Sequence, residues 1–241
     1  MKLSSLFGGK SGKVGCSAVI VAAGFSQRMG RDKLFCELGG LPVLARTLRS
    51  FQTSELIDEI ILVTREDSLE KVSALCREHG IDKVTRVVTG GSDRLHSSLI
   101  GASYVTAESK YIVIHDGDRP LVSEELIRRC VLAAKEYGAA VPVVPCVDTM
   151  KAVNADNFVT GTLERQNTYR VQTPQVFEAT FLKAALTNAA KKKLPITDDA
   201  AAMEAMSAPI FAVAGDEDNI KITVPRDLAI AEVLLRMRES V

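Results

Sequence analysis

Short apolar runs alternate along this chain with segments whose apolar residues recur every three or four positions. Cys16–Val21, Glu59–Thr64, Thr85–Thr89, Tyr111–His115 and Ala139–Val144 are rich in Val and Ile and too short for helices, so they predict strands. Helical patterns lie between them. Pro42–Phe51 carries Leu44, Leu48 and Phe51 at spacings of four and three. Ser68–His79 puts Leu69, Val72, Leu75 and Cys76 on one face, with Gly80 placed to end it. Asp93–Val105 follows, then Ser123–Tyr137, where Ser123 stands as a cap with Glu124 and Glu125 just behind it. Pro225–Arg238 opens with proline in its first turn and directs Leu228, Ala231, Leu234 and Leu235 inward. Strand–helix–strand alternation predicts an α/β fold with a mostly parallel sheet covered on both faces.

The run Pro145–Phe177 breaks this rhythm. It is polar, carries few helical signals, and has β-like pieces only at Phe158–Leu163 and Tyr169–Val171. An irregular excursion of about 30 residues inside a compact domain is uncommon and usually functional, so an extended β arm or lid is expected here. The organisation predicted is one domain over 14–241, with 145–177 as its arm and a frayed tail over 1–13. Lys191–Lys193 reads as a solvated helix end.

Composition narrows the classes. The 241 residues allow one large domain or two small ones at ~150 residues per domain. Lys and Arg total 30, Asp and Glu total 30, and the zero net charge removes the usual long-range attraction to nucleic acid or an anionic membrane. No apolar run approaches the ~20 residues of a membrane span. The five cysteines are odd in number, form no C-x-x-C pair and mostly sit among apolar neighbours, which reads as buried small hydrophobes in a reducing compartment. The opening MKLSSLFGGKSGKVG lacks the apolar stretch of a signal peptide, and a cytoplasmic address is expected.

In open α/β sheets, ligands bind beyond the carboxyl ends of the strands. After the first strand come Ala22, Ala23 and Gly24, small residues that let backbone N–H groups approach a phosphate, and then the cations Arg28, Arg31 and Lys33. The spacing satisfies neither the P-loop nor the dinucleotide fingerprint. A solvated glycine turn with surface cations is the competing reading. Gly90 and Gly91 precede a polar helix start, which suits an anion or base pocket or simply a capped tight turn. The strand Tyr111–His115 ends in Asp116-Gly117-Asp118-Arg119. A carboxylate there suits Mg²⁺, and an Asp–Arg surface pair is the alternative. Lys221 stands between Ile220 and Ile222, a position rarely accidental for lysine, though snorkelling at a strand edge competes. His79, His96 and His115 have no triad partners. Cationic and glycine-bearing loops with one carboxylate suggest a nucleoside triphosphate with Mg²⁺. A phosphate nucleophile, with a second pKa of ~6, is already ionised near neutral pH and needs no general base. Positioning and charge stabilisation then suffice.

Seven runs together carry a resemblance: Ala18–Lys33, Gly90–Ala102, His115–Pro120, Val147–Lys151, Gln172–Phe177, Ile196–Glu204 and Asp218–Glu232. In order and spacing they resemble the 2-C-methyl-D-erythritol 4-phosphate cytidylyltransferases, over almost the whole chain from Cys16 on. The resemblance implies a three-layer α/β/α, Rossmann-like nucleotidyltransferase fold with a protruding β arm. It also implies transfer of CMP from CTP to methylerythritol phosphate with release of pyrophosphate, in non-mevalonate isoprenoid synthesis. By the same resemblance Arg28 and Lys33 stabilise charge on the CTP α-phosphate, and Ala22, Ala23 and Gly24 form the backbone cradle. Gly91 and Ser98 belong to the cytosine pocket. Asp116 lies near Mg²⁺ and ribose, with Arg119 in the same substrate-binding run. Lys221 and Arg165 hold the acceptor phosphate, and Thr149 and Thr197 make further substrate contacts. Residues matching Thr149 and Arg165 serve the neighbouring subunit's site in that family, so a homodimer is implied.

Two departures stand out. The family's frequent Pro-Lys-Gln is Asp32-Lys33-Leu34, and its usual Ala-Ala before the arginine is Gly117-Asp118. Asp118 adds negative charge near the triphosphate, which either adds a metal contact or weakens CTP binding. The competing functions are ribitol 5-phosphate cytidylyltransferase, a non-catalytic nucleotide-binding module and, more weakly, a dinucleotide-dependent oxidoreductase.

Overall fold

The computed structural model of the protein describes residues 15–239, and the tail expected over 1–13 lies outside them. In chain order the elements begin with β1 (Cys16–Ala22), a two-residue pair β2 (Glu37–Leu38) and β3 (Leu41–Pro42), α1 (Val43–Thr53), β4 (Glu59–Thr64) and α2 (Leu69–Glu78). Then come β5 (Val84–Thr89), α3 (Arg94–Ser103), β6 (Tyr111–Asp116), α4 (Glu124–Tyr137) and β7 (Ala139–Pro145). Four short strands follow, β8 (Lys151–Val153), β9 (Val159–Thr162), β10 (Tyr169–Val171) and β11 (Gln175–Glu178). The chain closes with α5 (Ala179–Lys191), α6 (Asp199–Glu204), β12 (Phe211–Ala214) and α7 (Pro225–Glu239). The caps form as the residue types dictate. Asp93 accepts from the His96 N–H, Ser123 accepts from the Leu126 N–H, and Gly138 ends α4 at a positive φ of 84°.

The main sheet has eight strands in the order β10-β7-β11-β6-β1-β4-β5, with β12 also on β7. β1 pairs in parallel with both β4 and β6, and β4 with β5, whereas β11 runs antiparallel between β6 and β7. Side-chain alternation divides the core. Ala18, Ile20, Ile60, Leu62 and Val113 face a layer built from α1, α2 and α4. Val19, Ile61, Val63, Ile112 and Ile114 face the other layer, α3, α5 and α6. This is the three-layer α/β/α arrangement. A third, smaller core joins Met29, Leu38, Val43 and Ile222 to Ala231 and Leu235 of α7. It ties the loop after β1 to the segment carrying Lys221.

The chain leaves β1 in one direction toward β4 and β5, then returns to β6 on the other side. Crevices at such a reversal open at the carboxyl ends of the central strands.

The excursion over 145–177 divides in two. Only its first part, the β8–β9 hairpin, forms a separate two-stranded unit. From Tyr169 onward the chain re-enters the main sheet as β10 and β11, and Gln172, Thr173, Gln175 and Phe177 are buried there. The projecting segment is therefore shorter than the sequence pattern suggests. α5, α6 and β12 have no counterpart among the predicted elements.

Candidate active site

The loops at the carboxyl ends of β1, β5 and β6 enclose a cavity of about 600 Å³, together with segments leading into α6 and α7. Its first wall is the loop after β1. Ser26 (φ 52°) and Gly30 (φ 68°) bracket a single tight turn, Gln27–Met29, whose Met29 is buried in the small third core. Arg65, at the end of β4, fastens this loop at two points. It donates to the Gly24 carbonyl at 3.0 Å and to Asp32 Oδ2 at 2.6 Å. The other Asp32 oxygen accepts from the Leu34 N–H at 3.2 Å and so caps the short turn on which Lys33 sits. Arg28 and Lys33 both line the cavity.

The second wall is Gly90-Gly91 and the start of α3. A Cβ on Gly90 would lie 2.6 Å from the Ala23 Cβ, and one on Gly91 would lie 2.3 Å from the His96 Cβ. Only glycine lets this loop close against both its own helix and the β1 loop. The Gly91 N–H donates to Ser97 Oγ at 3.2 Å.

Asp116, at the end of β6, is the centre of the charge network. Arg94 pairs with Oδ1, while Arg119 at 3.2 Å and Lys221 at 3.0 Å pair with Oδ2. Arg94 also reaches Asp199 Oδ2 at 2.7 Å. Burial pushes the Asp116 carboxyl up, but Arg94, Lys221 and Arg119 outweigh it and hold the group well below the usual carboxylate range. Arg94 is opposed by its own burial, yet Asp199 and Asp116 raise its pKa above the ordinary arginine value. Lys33 Nζ lies 2.5 Å from Asp118 Oδ2.

Buried polar residues of β11 and its approach hold these parts in place. Gln172 exchanges hydrogen bonds with the Asp216 backbone at 2.7 and 3.2 Å, and Asn219 donates to the Thr173 carbonyl at 2.8 Å. Gln175 donates to Asp198 at 2.7 Å and accepts from the Ala200 N–H at 3.0 Å, which sets the start of α6 and hence Asp199. His115 is fully buried between Thr173 Oγ1 (3.0 Å) and the Arg119 carbonyl (3.2 Å). Burial pushes its pKa down to about 3, so it stays neutral and is unfit to take a proton near pH 7.

The structure brings together most of the residues singled out in the sequence. Ala23, Gly24, Arg28 and Lys33 line the cavity, as do Gly91, Asp116, Thr197 and Lys221. Ala22 is buried beneath the loop. Arg119 stands behind Asp116 and donates to the Asn219 carbonyl at 2.8 Å, bracing the Lys221 segment. Ser98 is fully buried and does not line the cavity. Its neighbour Ser97 does. A one-residue shift on a helix turns a side chain by about 100°, which is why the two serines face differently. Thr149 and Arg165 are exposed on the excursion and do not line this cavity.

Arg94 and Asp199 were not among the expected residues. A signal for Arg94 existed: an arginine in the first turn of a helix opposes the helix dipole and needs carboxylates to hold it there.

The carboxylates also bear on a metal. Among the described residues, no group of three or more His, Cys, Asp or Glu side chains is placed to hold an ion unaided. Asp118 Oδ1 is buried and has no hydrogen-bond partner. Both Asp116 oxygens already hold cations, so the free oxygen of Asp118 is the donor in this cavity that fits Mg²⁺ of the kind that keeps its water and arrives on phosphates.

Comparison with known proteins identifies the chain's relatives. A family model described as 2-C-methyl-D-erythritol 4-phosphate cytidylyltransferase matches residues 16–237. The chain is 43% identical over 225 residues to the protein of that name from Dehalococcoides mccartyi strain CBDB1, covering 93% of this chain and 96% of that one. It is 40% identical over 227 residues to the one from Caldanaerobacter subterraneus subsp. tengcongensis, covering 91% and 98%. The crystal structure of 4-diphosphocytidyl-2C-methyl-D-erythritol synthase from Anaerococcus prevotii DSM 20548 superposes with a TM-score of 0.82 at 31% identity, covering 92% of this chain and 98% of that one. That of the cytidylyltransferase from Thermus thermophilus gives 0.75 at 31% identity, covering 91% and 98%. Likeness in sequence and in shape, end to end, places this chain in the 2-C-methyl-D-erythritol 4-phosphate cytidylyltransferase family.

Proposed function

We propose that the protein transfers CMP from CTP to 2-C-methyl-D-erythritol 4-phosphate and releases pyrophosphate. The observation that carries this reading is the convergence of Arg28, Lys33, Arg94 and Lys221 on one cavity, beside a buried His115 that stays neutral. A phosphate acceptor supplies its own charged oxygen. That oxygen attacks the α-phosphorus of CTP, and the bond to the pyrophosphate oxygen breaks with its electron pair leaving on pyrophosphate. The chain's task is to hold both anions in line and offset the charge that gathers at phosphorus.

Roles follow from position. The backbone of Ala23 and Gly24 cradles the triphosphate, with Arg28 and Lys33 beside it. Gly91 and Ser97 leave a narrow, polar slot for the base. Lys221, braced through Asp116 and Arg119, faces the acceptor side. Mg²⁺, held by the nucleotide phosphates on the Asp116–Asp118 side of the cavity, would neutralise triphosphate charge.

A homodimer belongs to the same proposal. Val147, Val153, Phe158, Val159 and Leu163 are exposed on the excursion. An isolated two-stranded hairpin is marginal in water, and clustered exposed apolar groups favour a partner surface. A second copy would place Thr149 and Arg165 at its cavity, which their own chain's cavity does not use. A cytoplasmic address fits five buried free cysteines. Among the described residues no helix is long and apolar enough to cross a membrane.

The test is pyrophosphate release measured with each of four nucleoside triphosphates and both candidate acceptors. Release with CTP and methylerythritol phosphate is expected. A preference for ribitol 5-phosphate would reassign the acceptor, and no release with any pair would remove the activity.

A further inference from the structure

Asp118 stands where the family resemblance expects alanine, and it occupies the cavity wall. Its carboxylate is almost wholly buried. Oδ2 is held by Lys33 at 2.5 Å, and Oδ1 has no partner. Its backbone is fixed as well, because the Asp118 carbonyl accepts from the Ile222 N–H at 2.9 Å, next to Lys221. Three further cations of the site are committed elsewhere, since Arg94, Arg119 and Lys221 all sit on Asp116.

Lys33 cannot serve two anions equally. If it turns to the α-phosphate, as the proposed function requires, both oxygens of Asp118 are left without a partner beside a triphosphate. A buried, unpaired carboxylate next to further negative charge is strongly unfavourable. Some cation has to take the place of the ammonium. Arg94, Arg119 and Lys221 are held by Asp116, and Arg28 is assigned to the triphosphate itself. A divalent ion carried in by the nucleotide is of the right charge and prefers oxygen donors.

From this exchange of partners we infer that Asp118 is a carboxylate ligand for the divalent cation that enters with the nucleotide, taking up that cation as Lys33 leaves. The inference rests on the CTP reading above. The consequence is a linked site. Nucleotide alone meets repulsion from Asp118, whereas nucleotide with its cation meets an added ligand, so CTP binding depends on metal more steeply than with alanine at this position.

The test needs no turnover. CTP is titrated calorimetrically into the wild type, Asp118→Ala and Asp118→Asn in the absence of acceptor, once with EDTA and then over a series of Mg²⁺ concentrations. Thermal unfolding confirms that each variant is folded, and Asp118→Asn preserves the shape of the side chain if the alanine variant is not. The expected result is tighter CTP binding by the variants in EDTA, together with an enhancement by Mg²⁺ that is smaller than in the wild type by ~10-fold or more. An equal Mg²⁺ enhancement in wild type and both Asp118 variants would overturn the inference, leaving Asp118 as a counter-ion of Lys33 only. Absence of CTP binding by the wild type at every Mg²⁺ concentration would instead overturn the functional reading beneath it.

Discussion

Asp116 and Arg165 lie in regions built in opposite ways. Asp116 is buried at the end of a central strand, and three cations from three different segments close on it. Arg165 is exposed on a short turn between β9 and β10, and the carbonyl of Arg165 itself accepts from the Thr168 N–H. The cleft is held by its own chain. The charges around Asp116 are positioned before any ligand arrives, which is what electrostatic stabilisation of a transition state requires, and Lys33 is the one that has to change partner. The excursion is the reverse: its charged and apolar side chains are exposed. Mutations in the first region should therefore register in folding and chemistry together, and in the second in binding alone.

The largest effect expected is from Asp116→Ala. It strands Arg94, Arg119 and Lys221 around a buried hole, and breaking such a network typically costs about 3–5 kcal/mol. Denaturant unfolding should show that loss, and activity should vanish. A variant of wild-type stability would mean that the network is not structural. Next is Lys33→Ala, which should lower kcat by ~10²-fold or more. An unchanged kcat in steady-state assays would take Lys33 out of the mechanism.

A smaller effect concerns acid. His115 has a folded pKa of about 3 against an ordinary 6.5. Between those values the unfolded chain binds the extra proton, so stability is lost as pH falls through that window, by up to about 1.4 kcal/mol per pH unit. Asp116, whose carboxyl is depressed, adds a loss in the same direction only below its ordinary carboxylate value. Unfolding free energies followed from pH 7 downward should fall less steeply in His115→Gln, and identical slopes would refute the assignment. Smallest in stability is Arg165→Ala, expected to stay within about 0.5 kcal/mol of wild type because the side chain is exposed. It should raise KM for the acceptor more than KM for CTP. Equal rises would speak against an acceptor contact.

The same contrast explains what was legible in the sequence. β1, β4 and β6 are apolar runs buried on both faces, so composition alone marks them. β11 and its approach are different. Gln172, Thr173 and Gln175 are polar yet buried, and read as surface until their hydrogen bonds to Asp216, His115 and Ala200 are seen. α5 is rich in alanine, so its buried stripe of Leu182, Ala185, Leu186 and Ala189 carries a weak hydrophobic signal. At the site, residues beside strand ends were visible because glycine and charge are unusual there. Arg94 and Asp199 meet across 105 positions of sequence, a pairing that no local pattern encodes. Ser98 and Ser97 differ only in which way a helix turns them.

The central claim is that anions are held in line by the cations of the cleft and that no side chain removes a proton. The pH dependence of kcat/KM for the acceptor tests it most directly. The account predicts one ionisation, at ~6, belonging to the acceptor phosphate and unmoved by His96→Ala or His115→Gln. A second limb belonging to the protein, displaced or abolished by either substitution, would contradict it.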